Sequence, residues 1–146
     1  MIVYFDTSAF VPLFIDEPST RRCRDLWEAA DAVVVTRLVF VEVSAALAQA
    51  LRAGRISRSD HAEALVRMNG FWEQCHVREL DEPLMRRAAS LADRFGLRGY
   101  DSVHCAAAAA ISDNEVVAVS GDQALLRAWQ ELRLAVADPN GDVSPP

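Results

Sequence analysis

The chain has 146 residues, 51% of them hydrophobic and 25% charged, with a formal net charge of −6, the profile of one globular domain long enough to bury a core. All 15 basic residues are arginines, which excludes a P-loop lysine, a Schiff-base lysine, a lysine base and any phosphoacceptor site that depends on a lysine. The acidic balance argues against a simple nucleic-acid binder, which is usually basic; no apolar run reaches the roughly 20 residues of a membrane span, no signal peptide is evident, and a cytoplasmic protein is expected.

Ile2–Phe5 is a short β-rich apolar run, read as a buried strand that ends at Asp6-Thr7-Ser8. An apolar segment over 9–15 follows, and Glu17-Pro18-Ser19-Thr20 opens a helix to about Ala30. Residues 32–35 read as a second strand. Thr36 is placed to cap a helix from Arg37 to about Ala53, which Gly54 stops. Ser57, with Asp60 three residues on, is a weak capping-box start for a helix to about Gln74. Residues 76–80 form the expected third strand. Asp81-Glu82-Pro83 is a strong helix start, and Gly96 ends that helix. Gly99-Tyr100-Asp101 leads into an alanine-rich helix over 102–112. Val116–Val119 is the fourth strand, Ser120-Gly121-Asp122 a turn, Gln123–Glu131 a helix and 132–136 a last strand.

This alternation predicts an α/β fold: a three-layer sandwich with a central parallel sheet of about five strands and helices on both faces. Right-handed crossovers put the strand C-termini on one rim, where ligands bind near a switch in strand order. The folded unit is expected to span 1–137. The proline-, glycine- and polar-rich stretch 138–146 is expected to be a disordered tail. Cys23, Cys75 and Cys105 show neither a C-x-x-C nor a zinc spacing and read as structural thiols.

Four carboxylates carry the chemistry. Asp6 directly follows the first strand, and Asp122 lies three residues past Val119, so both face the same rim. Glu42 is in the second turn of its helix, and Asp101 begins its own. Taken singly, Asp6, Asp101 and Asp122 could each be a helix cap, and Glu42 a surface acid beside the apolar stripe of Val39, Val43, Ala46 and Ala50. Together they are far more specific. Acids within ~5 Å of one another repel by roughly 3 kcal/mol per pair at an effective dielectric of 20, and without a cation some hold protons. Mg²⁺ or Mn²⁺ resolves the conflict, being hard, oxygen-liganded and content to keep several waters. One or two such ions can activate water, orient a phosphodiester and neutralise the leaving oxygen.

Four stretches then resemble one family in order and spacing. They are Val3-Tyr4-Phe5-Asp6-Thr7-Ser8-Ala9, Val41-Glu42-Val43-Ser44-Ala45-Ala46-Leu47, the run from Leu97 to Ala108 through Asp101-Ser102-Val103-His104, and Val119-Ser120-Gly121-Asp122-Gln123-Ala124-Leu125. The sequence resembles PIN-domain ribonucleases, and within them the VapC-type toxins of toxin–antitoxin pairs, over residues 1 to about 136. The resemblance implies a Mg²⁺- or Mn²⁺-dependent endoribonuclease that hydrolyses RNA phosphodiesters with metal-activated water. It also implies a small cognate antitoxin that blocks the site, and a homodimer. Asp6, Glu42 and Asp101 match the family's three principal acids and Asp122 its more variable fourth. Ser8 matches a hydroxyl that helps orient the acids, and Ser120 a position often held by threonine.

Two other classes stay open at this level: a non-catalytic RNA- or protein-binding module of the same fold, and a metal-dependent phosphatase or DNA nuclease. His104, three residues past Asp101, reads as a buried or supporting histidine rather than a ligand, because a hard-ion site wants oxygen. Ser8, His104 and an acid could formally make a triad, but no G-x-S-x-G supports it. Trp27, Trp72 and Trp129 read as core or interface, and the arginine clusters at 21–24 and 52–58 as solvated faces.

Overall fold

The computed structural model describes residues 1–111 and 115–141. In chain order the elements are β1 (Ile2–Phe5), α1 (Thr7–Phe10) running into a 3₁₀ turn (Val11–Leu13), α2 (Thr20–Ala29), β2 (Ala32–Thr36), α3 (Arg37–Arg52) and α4 (Arg58–Trp72). Then follow β3 (His76–Arg78), α5 (Glu82–Phe95), α6 (Gly99–Ala109), β4 (Val116–Val119), α7 (Gln123–Glu131) and β5 (Ala135–Ala137). The strands form one all-parallel sheet in the order β3-β2-β1-β4-β5. The chain moves outward from β1 through β2 to β3, then crosses to the other side of β1 for β4 and β5. The switch in strand order therefore falls between the C-terminal ends of β1 and β4, where Phe5 pairs with Val119.

Alternation along β1 divides the core. Val3 and Phe5 face one layer with Phe10, Leu13, Val39, Val43, Leu47 and Met68; Tyr4 faces the other with Leu84, Leu91, Val103, Leu125 and Trp129. A sheet buried on both faces explains why its central strands read as continuous apolar runs. Helix α6 is the most enclosed: Ser102 through Ala108 are all buried. Its alanines let it lie close between the sheet and its helical neighbours. Trp129 is fully buried, and Trp27 sits among the rings of Phe5, Phe10 and Phe71. The tryptophans at 27 and 129 thus serve the core as expected.

Helix starts follow the local signals in most places. Ser57 and Asp60 form a complete reciprocal capping box. Asp81 caps α5 by accepting from Leu84 N at 3.0 Å, and Gly96 ends that helix in the left-handed region at φ +65°, where glycine carries no Cβ penalty. Three starts differ from expectation. Thr36 holds the N-cap position of α3, but its hydroxyl makes no capping bond. Helix α6 begins at Gly99 with Arg98 at the cap, so Asp101 lies inside the first turn rather than at the start; Ser112, the expected end of this helix, lies outside the described residues. Leu132 closes α7 and Arg133 turns at φ +65°, which delays β5 to Ala135. Of the segment expected to be a tail, Asp138 accepts from Gln123 Nε2 at 2.7 Å and from Asn140 N at 2.8 Å, and residues 142–146 lie outside the described ones. No described helix is long and apolar enough to cross a membrane.

Candidate metal centre

The rim at the switch point is built from the loops after β1 and β4. Asp6 N extends the sheet by donating to Val119 O at 3.2 Å. The carboxylate is only 4% exposed. Its Oδ1 accepts from Ala9 N (3.0 Å), capping α1, and from Ser8 Oγ (2.7 Å), while Oδ2 accepts from Ser120 Oγ (2.5 Å). Both serines also tie the two loops: Ser8 Oγ accepts from Gly121 N at 2.8 Å, and Ser120 Oγ from Asp122 N at 2.9 Å. Gly121 packs closely here: a Cβ there would meet the end of the Asn140 side chain at 2.8 Å, which would have to shift. Burial pushes the Asp6 carboxyl above its ordinary range; the charge of a protonated His104 and the bonds from Ser120, Ser8 and Ala9 pull the other way without cancelling it.

Glu42 reaches the rim from α3. Its Oε1 accepts from Thr7 Oγ1 at 2.6 Å and from His104 Nε2 at 3.1 Å. Burial raises this carboxyl, but the bonds from His104 and Thr7 and the imidazole's charge outweigh it, leaving Glu42 below the usual range. Asp101 rises from the first turn of α6, where a helix N-terminus favours negative charge, and accepts from Arg98 Nε at 2.9 Å. Glu42, Arg98, Gly99, Tyr100 and Asp101 line one cleft of about 310 Å³. Asp122 caps α7 through Leu125 N at 3.0 Å, and its Oδ2 faces Arg98 Nη2 at 3.7 Å.

The four acids thus occupy one rim. Asp6 and Asp122 are joined through Ser120, Glu42 and Asp101 share the cleft, and Arg98 spans Asp101 and Asp122. His104 acts electrostatically on both Asp6 and Glu42, which ties the two halves. Among the described residues no three acid, histidine or cysteine side chains close around a single point, and the cleft that Glu42 and Asp101 line does not include Asp6 or Asp122. That arrangement fits a hard divalent ion. The four candidate ligands are all carboxylates, and such an ion keeps several waters, so it needs only one or two of them directly and can reach the others through water. Asp6 makes the same point: its carboxylate is buried, bonded to hydroxyls and an amide, and has no basic side chain among its hydrogen-bond partners.

Sequence reasoning missed Thr7 and Arg98; it read His104 as buried or supporting, which its 3% exposure and its bond to Glu42 match, but did not give its partner. Arg98 carried a usable signal, standing three residues before Asp101 at a helix start; Thr7 carried none beyond its place in the first turn. The cysteines stay out of the site: burial pushes Cys23 and Cys105 to about 11 and Cys75 to about 12.

A parallel α/β sheet with an acid-lined rim at its switch point defines the class, and the PIN domain family model matches residues 3–130. The chain belongs to the PIN-domain family. Ribonuclease VapC45 of Mycobacterium tuberculosis is 38% identical to it over 124 residues, covering 85% of this chain and 86% of that protein. The fold is similar to that of FitAcB from Neisseria gonorrhoeae (TM-score 0.69, 17% identity, 95% of this chain and 98% of that one). It is also similar to a chain of a toxin–antitoxin complex from Klebsiella pneumoniae (TM-score 0.66, 13% identity, 96% and 99%).

Proposed function

We propose that this chain is a divalent-metal-dependent endoribonuclease and the toxin of a toxin–antitoxin pair, acting in the cytoplasm through a nuclease unit of residues 1–137. The observation that carries this reading is the buried Asp6 carboxylate, held by Ser8, Ser120 and Ala9 N at the switch point beside three further acids on the same rim. Identity to a protein named as a ribonuclease over most of both chains supports the substrate class.

Asp6, Glu42, Asp101 and Asp122 would hold Mg²⁺ or Mn²⁺. The ion, when bound, supplies positive charge beside the scissile phosphate and lowers the pKa of water. Ser8 and Ser120 hold Asp6 in one rotamer, and Thr7 and His104 hold Glu42, so the acids need no rearrangement as charge develops. Water oxygen adds to phosphorus, the bond to O3′ breaks, and O3′ leaves with a proton. No ribose 2′-hydroxyl takes part, so the products carry 5′-phosphate and 3′-hydroxyl ends.

The cognate partner is an antitoxin protein, a reading supported by the toxin–antitoxin complex of similar fold. Exposed Val41 and Val66 on α3 and α4 offer apolar surface to an amphipathic segment, and the functional unit is a homodimer. The test is to offer the purified protein single-stranded RNA, single-stranded DNA and a simple phosphate ester, with Mn²⁺ or with EDTA. RNA alone is cut, and only with metal. A cyclic-phosphate product, cleavage in EDTA or a preference for the ester overturns the reading.

A further inference from the structure

Glu42 is the terminus of a hydrogen-bond chain of which the metal-centre reading uses only the last link, from His104. Tyr4 Oη lies 2.7 Å from His104 Nδ1, and His104 Nε2 lies 3.1 Å from Glu42 Oε1. The chain runs from the core to the rim: Tyr4 is 0% exposed, His104 3% and the Glu42 side chain 24%. The Tyr4 ring is fixed edge-on against Trp129 at 5.8 Å. The Tyr4 hydroxyl also lies beside Thr36 Oγ1, a buried oxygen without a hydrogen bond of normal geometry.

The donor and acceptor roles follow from chemistry. An ionised carboxylate only accepts, so His104 Nε2 carries a hydrogen. In neutral imidazole Nδ1 is then the acceptor, and the phenol of Tyr4 is the donor it faces. Burial, with the charges of Asp6 and Glu42 next, holds that phenol well above its ordinary value, so it keeps its hydrogen. Thr7 Oγ1 donates to the same Glu42 oxygen as His104. Oε1 is therefore occupied by two donors from two different elements, while Oε2 takes no hydrogen bond from any described residue. Since His104 is one turn along α6 from Asp101, its bond to Glu42 also joins the two helices whose acids line the same cleft.

We infer that Tyr4 and His104 are positioning residues: Tyr4 fixes His104 as the Nε2–H tautomer, and His104, with Thr7, clamps Glu42 Oε1 so that Oε2 is presented to the metal. This rests on the metal-dependent ribonuclease reading, and outer partners of this kind are worth about 10–100-fold in metal affinity or activity. It assigns a purpose to a buried tyrosine and histidine that ligand counting leaves unexplained.

The test combines a spectrum with a variant series. Nitrogen-15 NMR of the metal-free protein at mildly alkaline pH reads the histidine tautomers directly; the chain has 3 histidines, and loss of one signal set in His104→Gln assigns the relevant one. His104 is expected as Nε2–H, with that preference weakened in Tyr4→Phe. In calorimetric titration with Mn²⁺, His104→Leu is expected to bind about 10–100-fold more weakly, and its kcat to fall with KM for RNA little changed. His104→Gln, which restores an N–H donor toward Glu42, is expected to recover most of both. A spectrum with Nδ1 protonated overturns the inference, as does a folded His104→Leu or Tyr4→Phe with wild-type Mn²⁺ affinity and kcat. A wild-type protein that neither binds Mn²⁺ nor cuts RNA refutes the ribonuclease reading instead, so the two failures are separable.

Discussion

Replacing Asp6 with asparagine separates its observed role as helix cap from its proposed role as metal ligand. Asparagine Oδ1 can keep both bonds that aspartate Oδ1 accepts, from Ala9 N and Ser8 Oγ. The amide nitrogen then faces Ser120 Oγ, which inverts from donor to acceptor; it already accepts from Asp122 N and has a second lone pair. The bond count is preserved and a buried charge is removed. Because burial raises the Asp6 carboxyl in the folded state, the stability linked to Asp6 is fully present below its unfolded pKa and is lost as pH rises through its folded pKa. Above that folded pKa the metal-free wild type has lost this contribution, whereas Asp6→Asn has no such charge to lose. The metal-free variant is therefore expected to gain on the wild type in melting temperature as pH rises through the Asp6 folded pKa, with the difference closing as pH falls. Glu42 runs the other way: its lowered carboxyl stabilises above its unfolded value and ceases to as pH falls through the folded one, in both proteins alike.

Metal reverses the ranking. A ligand at 100 times its Kd stabilises by about 2.7 kcal/mol, or about 8–10 °C for a chain of this size. Wild type is expected to gain that much with saturating Mn²⁺ and to lose it in EDTA, while Asp6→Asn gains little and cuts no RNA. Differential scanning calorimetry across pH, with and without Mn²⁺, reads both effects. A metal-free variant that melts more than about 10 °C below wild type would show Asp6 to be mainly a structural cap; an undiminished Mn²⁺ shift would remove it from the metal centre.

Ser120→Ala deletes a charge-assisted bond to Asp6 and the acceptor for Asp122 N, a loss of about 2–3 kcal/mol; since Ser120 lowers the Asp6 carboxyl, the pH at which Mn²⁺ binding reaches half-strength is expected to rise, as titration calorimetry would register. Arg98→Ala breaks a solvent-screened pairing, so the melting temperature barely moves, but removing a guanidinium that spans Asp101 and Asp122 is expected to tighten Mn²⁺ binding; weaker binding would mean that Arg98 organises the acids rather than competing with the ion. Leu47→Ala, at a fully buried site, is expected to cost about 2–5 kcal/mol while leaving the Mn²⁺ shift of the folded protein intact, and loss of that shift in a folded sample would mean that α3 packing controls Glu42.

What was legible in the sequence was local. Strand runs such as Ile2–Phe5 and caps such as Asp81 announce themselves within a few residues, because period, turn chemistry and helix starts are short-range. Asp6, Asp101 and Asp122 were visible for the same reason: each stands where one element hands over to the next. Element ends were less legible where backbone beyond the motif decided them. Arg133 at positive φ delays β5, and Asp101, the obvious cap, is pre-empted by a helix that begins two residues earlier at Gly99.

Ser8 and Ser120 were named only through the family resemblance and His104 only as buried or supporting; which acid each of them holds was not legible, and the reason is distance along the chain. Thr7 and Glu42 are 35 residues apart, His104 and Glu42 62, Tyr4 and His104 100, and Ser120 and Asp6 114. No spacing rule reaches across such separations; only the sheet order, which sets β4 beside β1 and brings α3 and α6 to the same rim, makes these residues neighbours. A serine before a glycine or a histidine in an alanine-rich helix is unremarkable by type, and its chemistry exists only once the fold supplies its partner. The same holds for charge. The lysine-free, acidic composition argued against contact with nucleic acid, yet four of the 21 acids lie on one rim, where Arg98 already spans two of them. A net charge of −6 does not report that local arrangement, and a divalent ion held there would change the sign of the charge argument at the one place where it matters.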